Sequence, residues 1–120
     1  MISKEHGERG EQIATEWLRE HGYEICDKNW RSGRYELDIV ASRFDVLHFI
    51  EVKCRGEESY LAPEETLNAT KRRALTRAVA AYLALHDSDL NPQIDLLAIT
   101  IANDNTHTIE YFPEAVIPRW

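Results

Sequence analysis

Residues 35–54 read YELDIVASRFDVLHFIEVKC and contain two strand-like segments separated by a short loop. The first segment alternates apolar and polar residues, whereas the second is apolar on both faces until Glu51, as is typical of a central strand. Two such segments joined by about four residues predict an antiparallel hairpin. An even loop places Asp38 opposite Glu51 and Glu36 opposite Lys53, and a shift of one residue would put these pairs on different faces.

Charged residues are concentrated at the end of the predicted hairpin. Side chains alternate along a strand, so one face of the second segment carries Phe49, Glu51, Lys53 and Arg55. A half-exposed strand with a solvated face would explain the charges, but the apolar run before them argues against it. Crowded, partly desolvated carboxylates raise a pKa or require a cation. Mg²⁺ prefers carboxylate oxygens, so the pattern indicates a hard-cation site with a lysine beside it.

The rest of the chain predicts an α/β protein with a mixed sheet flanked by helices. Gly22 supplies a stop for the first helix, and Pro63 suits the first turn of a second helix. That helix is long enough to cross between parallel strands. The predicted elements are a helix over 10–21, strands at 23–30, 35–42 and 46–54, a helix from Pro63 to about His86, a buried strand at 94–102 and an edge strand at 106–111.

Composition predicts one domain over residues 1–120. Hydrophobic residues make up 43% of the chain and charged residues 29%, as in ordinary soluble proteins. The polar start predicts no signal peptide, and no apolar run approaches the length of a membrane span. Cys26 and Cys54 fit no zinc spacing, so we expect reduced thiols in a cytoplasmic protein that does not enter a membrane.

Charge alone neither favours nor excludes a nucleic-acid partner. The net charge is −7, yet residues 71–77, KRRALTR, hold four of the fourteen basic residues and no acid. A local basic patch on an acidic chain can still meet phosphates, and acids that surround a metal do not repel as free charges would. Arg72, Arg73 and Arg77 point away from the apolar stripe of their helix and are interpreted as solvated.

Three further charged residues have two interpretations each. Glu11 flanks the apolar stripe of the first helix and is either a solvated boundary residue or a group that reaches the edge of the sheet. Lys71 lies within the apolar stripe of the second helix, where it either extends outward along its own stem or faces the acidic cluster or a phosphate. Asp95 interrupts an apolar strand and is expected to be a structural hydrogen-bonding group rather than a metal ligand.

The combination of Glu51-x-Lys53, Asp38 thirteen positions earlier and an acidic first helix resembles the PD-(D/E)xK nuclease superfamily. More narrowly, the chain is similar to the bacterial YraN-like family of proposed endonucleases, which resemble archaeal Holliday-junction resolvases. The resemblance covers residues 10–99 and implies a restriction-endonuclease-like α-β-β-β-α-β core. The matching stretches are GEQIATEWLREHGYEICDKNWR, YELDIVA, LHFIEVKCR and TKRRALTRAVAAYL.

The resemblance also implies roles for individual residues. Asp38 and Glu51 would be metal ligands, Glu11 would assist the metal site, and Lys53 would orient the attacking water. Two positions depart from the family pattern. Tyr35 stands where the family usually has glycine, and Gln93 stands where it has a basic residue.

The first hypothesis is therefore a hydrolase, an endonuclease that uses Mg²⁺ or Mn²⁺ to cut DNA, with branched or structured DNA as a candidate substrate. The carbonyl of Val52 would complete the metal shell, and Glu36 is an additional acid. The candidate phosphate contacts are Arg31, Arg34, Arg55 and Lys71.

Two alternatives stay open. One is a catalytically inactive nucleic-acid-binding or assembly module on the same fold. The other is a cytosolic interaction protein whose charged strand ends are solvated. Symmetric cutting of a junction would require a homodimer, although the sequence indicates no dimer face.

Overall fold

The computed structural model describes residues 4–58 and 62–120, with only the backbone of residues 4–6 and 64. The order of elements, α-β-β-β-α-β-β, is the predicted one. The elements are α1 (Lys4–Glu20), β1 (Glu24–Ser32), β2 (Tyr35–Arg43), β3 (Val46–Gly56), a short 3-10 helix (Pro63–Thr66), α2 (Ala69–Leu85), β4 (Asn91–Ile101) and β5 (His107–Val116).

The five strands form one mixed sheet in the order β1-β2-β3-β4-β5. β3 and β4 are parallel, and all other neighbours are antiparallel. A parallel pair needs a crossover connection, which here contains α2. β5 is an edge strand, as predicted. The predicted fold class, an α/β mixed sheet flanked by helices, is therefore confirmed.

The two helices bury apolar residues against opposite faces of the sheet. Leu75 and Val79 of α2 pack with Phe49 of β3 in one core cluster. Leu18 of α1 packs with Ile50, the next residue of β3, in the other. Because neighbouring residues of a strand point to opposite faces, β3 is covered on both sides. β3 is apolar on both faces because it lies in the centre of the sheet, with a helix packed on each side.

Close packing of α1 on β3 positions the first helix over the end of the central strand. A Cβ atom built on Gly10 would lie 2.6 Å from the Cβ of Cys54, so only glycine fits without a shift. This close approach brings the first half of α1, including Glu11, to the carboxyl end of β3. The helix ends at Glu20, before Gly22, which has a φ of +84°.

The predicted start of the second helix is wrong. Pro63 begins a single 3-10 turn, and α2 begins at Ala69. The side chain of Asn68 caps α2, since its Oδ1 accepts a hydrogen bond of 2.9 Å from the backbone N–H of Lys71. Proline suits the first turn of either helix type, so its presence did not reveal the break.

Several strand ends also differ from the prediction. β1 continues to Ser32 through the predicted turn at 31–33, because Gly33, at a φ of +58°, allows a two-residue turn to Tyr35. β4 begins at Asn91, three residues early, and β5 extends to Val116 instead of ending at 111. Proline within the first residues of β4 and within edge strand β5 costs no essential ladder hydrogen bond.

Two further expectations concern cysteines and membrane segments. Cys26 and Cys54 are both free thiols, as expected. Neither helix of the described chain combines the length and the apolar composition that a membrane-spanning helix needs.

Candidate active site

The site lies where β2 and β3 separate. Backbone pairing between these strands runs from Arg43–Val46 to Ile39–Ile50 and, within the described chain, goes no further. Immediately beyond it, Oδ2 of Asp38 accepts a hydrogen bond of 2.9 Å from the backbone N–H of Val52. The carboxylate therefore takes the place of a backbone partner. This bond holds Asp38 at the point where the two strands diverge.

Asp38 and Glu51 meet across the two strands, as the predicted register requires. Burial, a hydrogen bond with Glu51 and the negative charge of Glu51 together raise the pKa of Asp38 to about 8. The N–H of Val52 and the charge of Lys71 oppose this rise in pKa without cancelling it. The side chain of Glu51 is 10% exposed. The alternative interpretation, a solvated and charged strand end, is therefore wrong for Glu51.

Lys71 of α2 supplies a cation to this pair. Its Nζ lies 2.8 Å from Oε2 of Glu51. Burial alone would lower the pKa of Lys71, but the hydrogen bond and the charge of Glu51 outweigh burial and raise it. Of the two interpretations of Lys71, the structure therefore shows the ammonium facing the acidic cluster. At neutral pH the raised pKa keeps Asp38 protonated, so one cation suffices for the pair until Asp38 loses its proton.

Glu11 and Lys53 border the same shallow cavity as Asp38, on the α1 side of the sheet. The cavity has a volume of about 390 Å³, and its wall includes Val52. Oε1 of Glu11 accepts a hydrogen bond of 2.7 Å from Nδ2 of Asn29, so Glu11 is anchored rather than freely solvated. Within the described part of the chain, the side chain of Lys53 has no hydrogen bond or ion pair. Alternation along β3 puts this side chain on the same face as Glu51, so its ammonium is able to donate to a ligand that Glu51 also contacts.

The other predicted site residues lie further from the acidic pair. Glu36 is 58% exposed and lies 3.4 Å from Arg31, its cross-strand neighbour on β1. The predicted placement of Glu36 opposite Lys53 is wrong, because β2 and β3 part before these residues and Glu36 pairs with Arg31 instead. The charge of Glu36 still acts on Lys71. Arg34 borders a second cavity that Glu36 and Lys71 also line. Nε of Arg55 donates to Oγ1 of Thr100 on β4, at 3.3 Å.

The donor set fits a hard divalent cation only in part. No group of three or more His, Cys, Asp and Glu side chains in the described residues is arranged to hold a metal. Mg²⁺, however, is commonly held by one or two carboxylates, with waters completing its shell. Asp38 and Glu51 meet that requirement. A divalent ion bound to both would also favour the ionised form of Asp38, which burial and Glu51 disfavour.

The sequence did not reveal a buried hydrogen-bond network around Asp95, although it predicted the structural role of this residue. Asp95 is fully buried, and its Oδ2 lies 2.6 Å from Nδ1 of His48. Gln93, the OH of Tyr111 and the N–H of Glu114 also donate to it. Burial would raise the pKa of Asp95, but these hydrogen bonds lower it. Gln93, where the resemblance implied a basic residue, is therefore used to hold Asp95.

Fold and site together define a class of protein. This is an α/β protein with a restriction-endonuclease-like core. Three features define the class: the α-β-β-β-α-β order of elements, a mixed sheet covered on both faces and an acidic pair beside the central strand. The acidic pair lies where two strands separate, and helices approach it from both faces of the sheet.

The chain belongs to the family described as uncharacterised protein family UPF0102, whose model matches residues 10–99. This is the YraN-like family that the sequence resembles. A UPF0102 protein of Porphyromonas gingivalis is 41% identical over 85% of this chain and 76% of its own length. A UPF0102 protein of Bacteroides thetaiotaomicron is 38% identical over 95% of this chain and 93% of its own length. One of Syntrophotalea carbinolica is 41% identical over 91% of this chain and 89% of its own length.

Proposed function

We propose that this protein is a metal-dependent endonuclease that hydrolyses phosphodiester bonds of DNA. The observation that supports this most is the meeting of two carboxyl groups, Asp38 and Glu51, at a split between strands, next to a cavity that Lys53 borders. Burial and Glu51 make ionisation of Asp38 costly, and strongly shifted pKa values of this kind are typical of functional sites. Binding of a divalent cation is the use that fits the donor atoms.

Asp38, Glu51 and the carbonyl of Val52 are the groups that would hold Mg²⁺ or Mn²⁺. Such an ion, when bound, lowers the pKa of a coordinated water and stabilises charge on a phosphate. Lys53 donates hydrogen bonds that orient the attacking water and balance the charge that develops. Glu11 borders the same cavity, where Asn29 fixes its carboxylate in place.

DNA, and branched DNA in particular, is the proposed substrate. The proposed contacts to phosphates, which fix register without reading sequence, are Arg31, Arg34, Arg55 and Lys71. Symmetric cutting of a junction would require two copies of the chain related by a two-fold axis. The free thiols of Cys26 and Cys54 are consistent with the proposed cytoplasmic location.

The test is cleavage of junction, flap and duplex DNA in the presence of Mg²⁺ or Mn²⁺. We expect Asp38→Asn and Lys53→Ala to lower the cleavage rate at least about 100-fold, because each removes a group that acts on the reacting water. Asp89→Asn is the matched control, since Asp89 is exposed and lies outside the site. Cleavage that survives both site substitutions would come from a contaminant and would contradict the proposal.

The second candidate is a nucleic-acid-binding or assembly module without catalysis. It is favoured by the finding that two carboxylates, rather than three, meet in the described structure. Calorimetric titration with Mg²⁺ and Mn²⁺ separates the two candidates. DNA binding without any metal binding would support the module, whereas metal binding that Asp38→Asn abolishes would support the nuclease.

A further inference from the structure

A groove lined by arginines lies between α2 and the C-terminal end of the chain, apart from the acidic pair. Its volume is about 790 Å³. Arg72, Arg73 and Arg77 of α2 line one side, and Arg119 comes from the segment after β5. The sequence suggested that the three helix arginines are merely solvated. The fold instead combines them with a fourth guanidinium that is distant in sequence.

The charge of this groove is opposite to that of the whole chain. The net charge is −7, yet no acidic side chain is among the described residues that line the groove. Nε of Arg72 donates to the backbone carbonyl of Leu67 at 2.7 Å, which restrains this guanidinium before any ligand arrives. Like charges held side by side repel, and an anion in the groove would remove that repulsion. The groove is therefore complementary to a negatively charged partner.

The groove leads toward the candidate active site. Arg73 and Arg77 line both the groove and the second cavity, of about 390 Å³, which also includes Arg34, Lys71 and one carboxylate, Glu36. Lys71 in turn contacts Glu51. Basic side chains therefore outnumber the one carboxylate, Glu36, along the path from the C-terminal segment to the acidic pair. A small anion would meet only part of this path, whereas an extended polyanion would meet all of it.

We propose that the groove between α2 and residues 115–119 binds the phosphodiester backbone of a nucleic acid, at phosphates outside those that reach the acidic pair. The choice of DNA as the polyanion rests on the proposed function, but the binding itself does not require catalysis. Arginine suits this task because its planar guanidinium donates two parallel hydrogen bonds to a phosphate. These hydrogen bonds position the strand and carry no sequence information.

The experiment is DNA binding measured by fluorescence anisotropy with labelled junction and duplex DNA, over a series of salt concentrations, with EDTA present to prevent cleavage. We expect the Arg73→Ala/Arg77→Ala double variant to bind at least about tenfold more weakly than the unmodified protein. The slope of log K against log salt should become shallower by about one for each phosphate that the variant leaves without an arginine. Arg73→Glu should weaken binding more than Arg73→Ala.

Arg19→Ala is the matched control for the single variants. Arg19 is an exposed arginine on α1, which packs on the opposite face of the sheet. Removing its charge should leave the affinity and the salt slope unchanged. Equal decreases in affinity for Arg19→Ala and Arg73→Ala would show a general charge effect and would overturn the proposal, as would unchanged binding by the double variant or no binding by the unmodified protein.

This outcome is separable from that of the proposed function. If the protein binds DNA through the groove but never cuts it with Mg²⁺ or Mn²⁺, the groove proposal is supported and the proposed nuclease activity is contradicted. If the Arg73→Ala/Arg77→Ala variant cuts DNA with the same KM and the same salt slope as the unmodified protein, the nuclease activity is supported and the groove proposal is contradicted.

Discussion

The buried carboxyl group of Asp38 lowers the free energy of unfolding by an amount that depends on pH. Its ordinary pKa is 3.8, and burial together with Glu51 raises it to about 8 in the folded chain. Between these pH values the folded state binds more protons than the unfolded state, so this group makes stability fall as pH rises. Above about pH 8 the whole penalty is present, because Asp38 is then ionised in its buried position.

Asp38→Asn should therefore stabilise the protein, and more so at alkaline pH. Asparagine keeps an acceptor for the N–H of Val52 but has no charge to place beside Glu51. The gain in free energy of unfolding should be larger at about pH 8.5 than at about pH 5, by up to about 4 kcal/mol. Urea unfolding at the two pH values measures it, with Asp89→Asn as the control. An equal gain at both pH values would mean that Asp38 does not titrate in this range.

The site could be predicted from the sequence as far as strand geometry determines it. A side-chain period of two and a short hairpin loop were enough to bring Asp38 opposite Glu51. The ion pair between Lys71 and Glu51 depends on how α2 packs on the sheet, so the sequence left it undecided. The position of Glu36 depends on pairing with β1, whose turn was placed incorrectly. Long-range packing, not local pattern, accounts for these differences.

Among the elements, α1 and the first three strands bring most of the site together. Their types and order could be predicted because alternation and helical stripes are local signals. The break before α2 could not, since it depends on the cap that Asn68 provides and on a proline that suits two helix types. The extension of β5 past residue 111 depends on its pairing with β4. Element type was therefore easier to predict than element ends.

Gly10→Ala tests whether close packing of α1 positions the site. The new Cβ would lie 2.6 Å from the Cβ of Cys54, so the helix must shift and the protein should lose about 1–3 kcal/mol of stability. Gly7→Ala, in the same helix, meets nothing within 4 Å and should be neutral or stabilising by up to about 1 kcal/mol. Thermal and urea unfolding of both variants measure the difference. Equal effects would mean that α1 does not pack closely on β3.

For the whole molecule, a net charge of −7 coexists with a basic path along α2. The total charge therefore says little about the partner, because its distribution differs between faces. α1 and α2 cover opposite faces of one sheet, and the acidic pair lies at the split between two of its strands. A metal at the split and phosphates along α2 would together hold a DNA strand against the end of β3.

The central claim is that Asp38 and Glu51 share a divalent cation. Crystals of the protein soaked in Mn²⁺ test it most directly, since anomalous scattering locates the ion independently of any activity. We predict one peak in contact with carboxylate oxygens of both Asp38 and Glu51, absent from Asp38→Asn crystals treated in the same way. No peak at this pair, or a peak that remains unchanged in the Asp38→Asn crystals, would contradict the account.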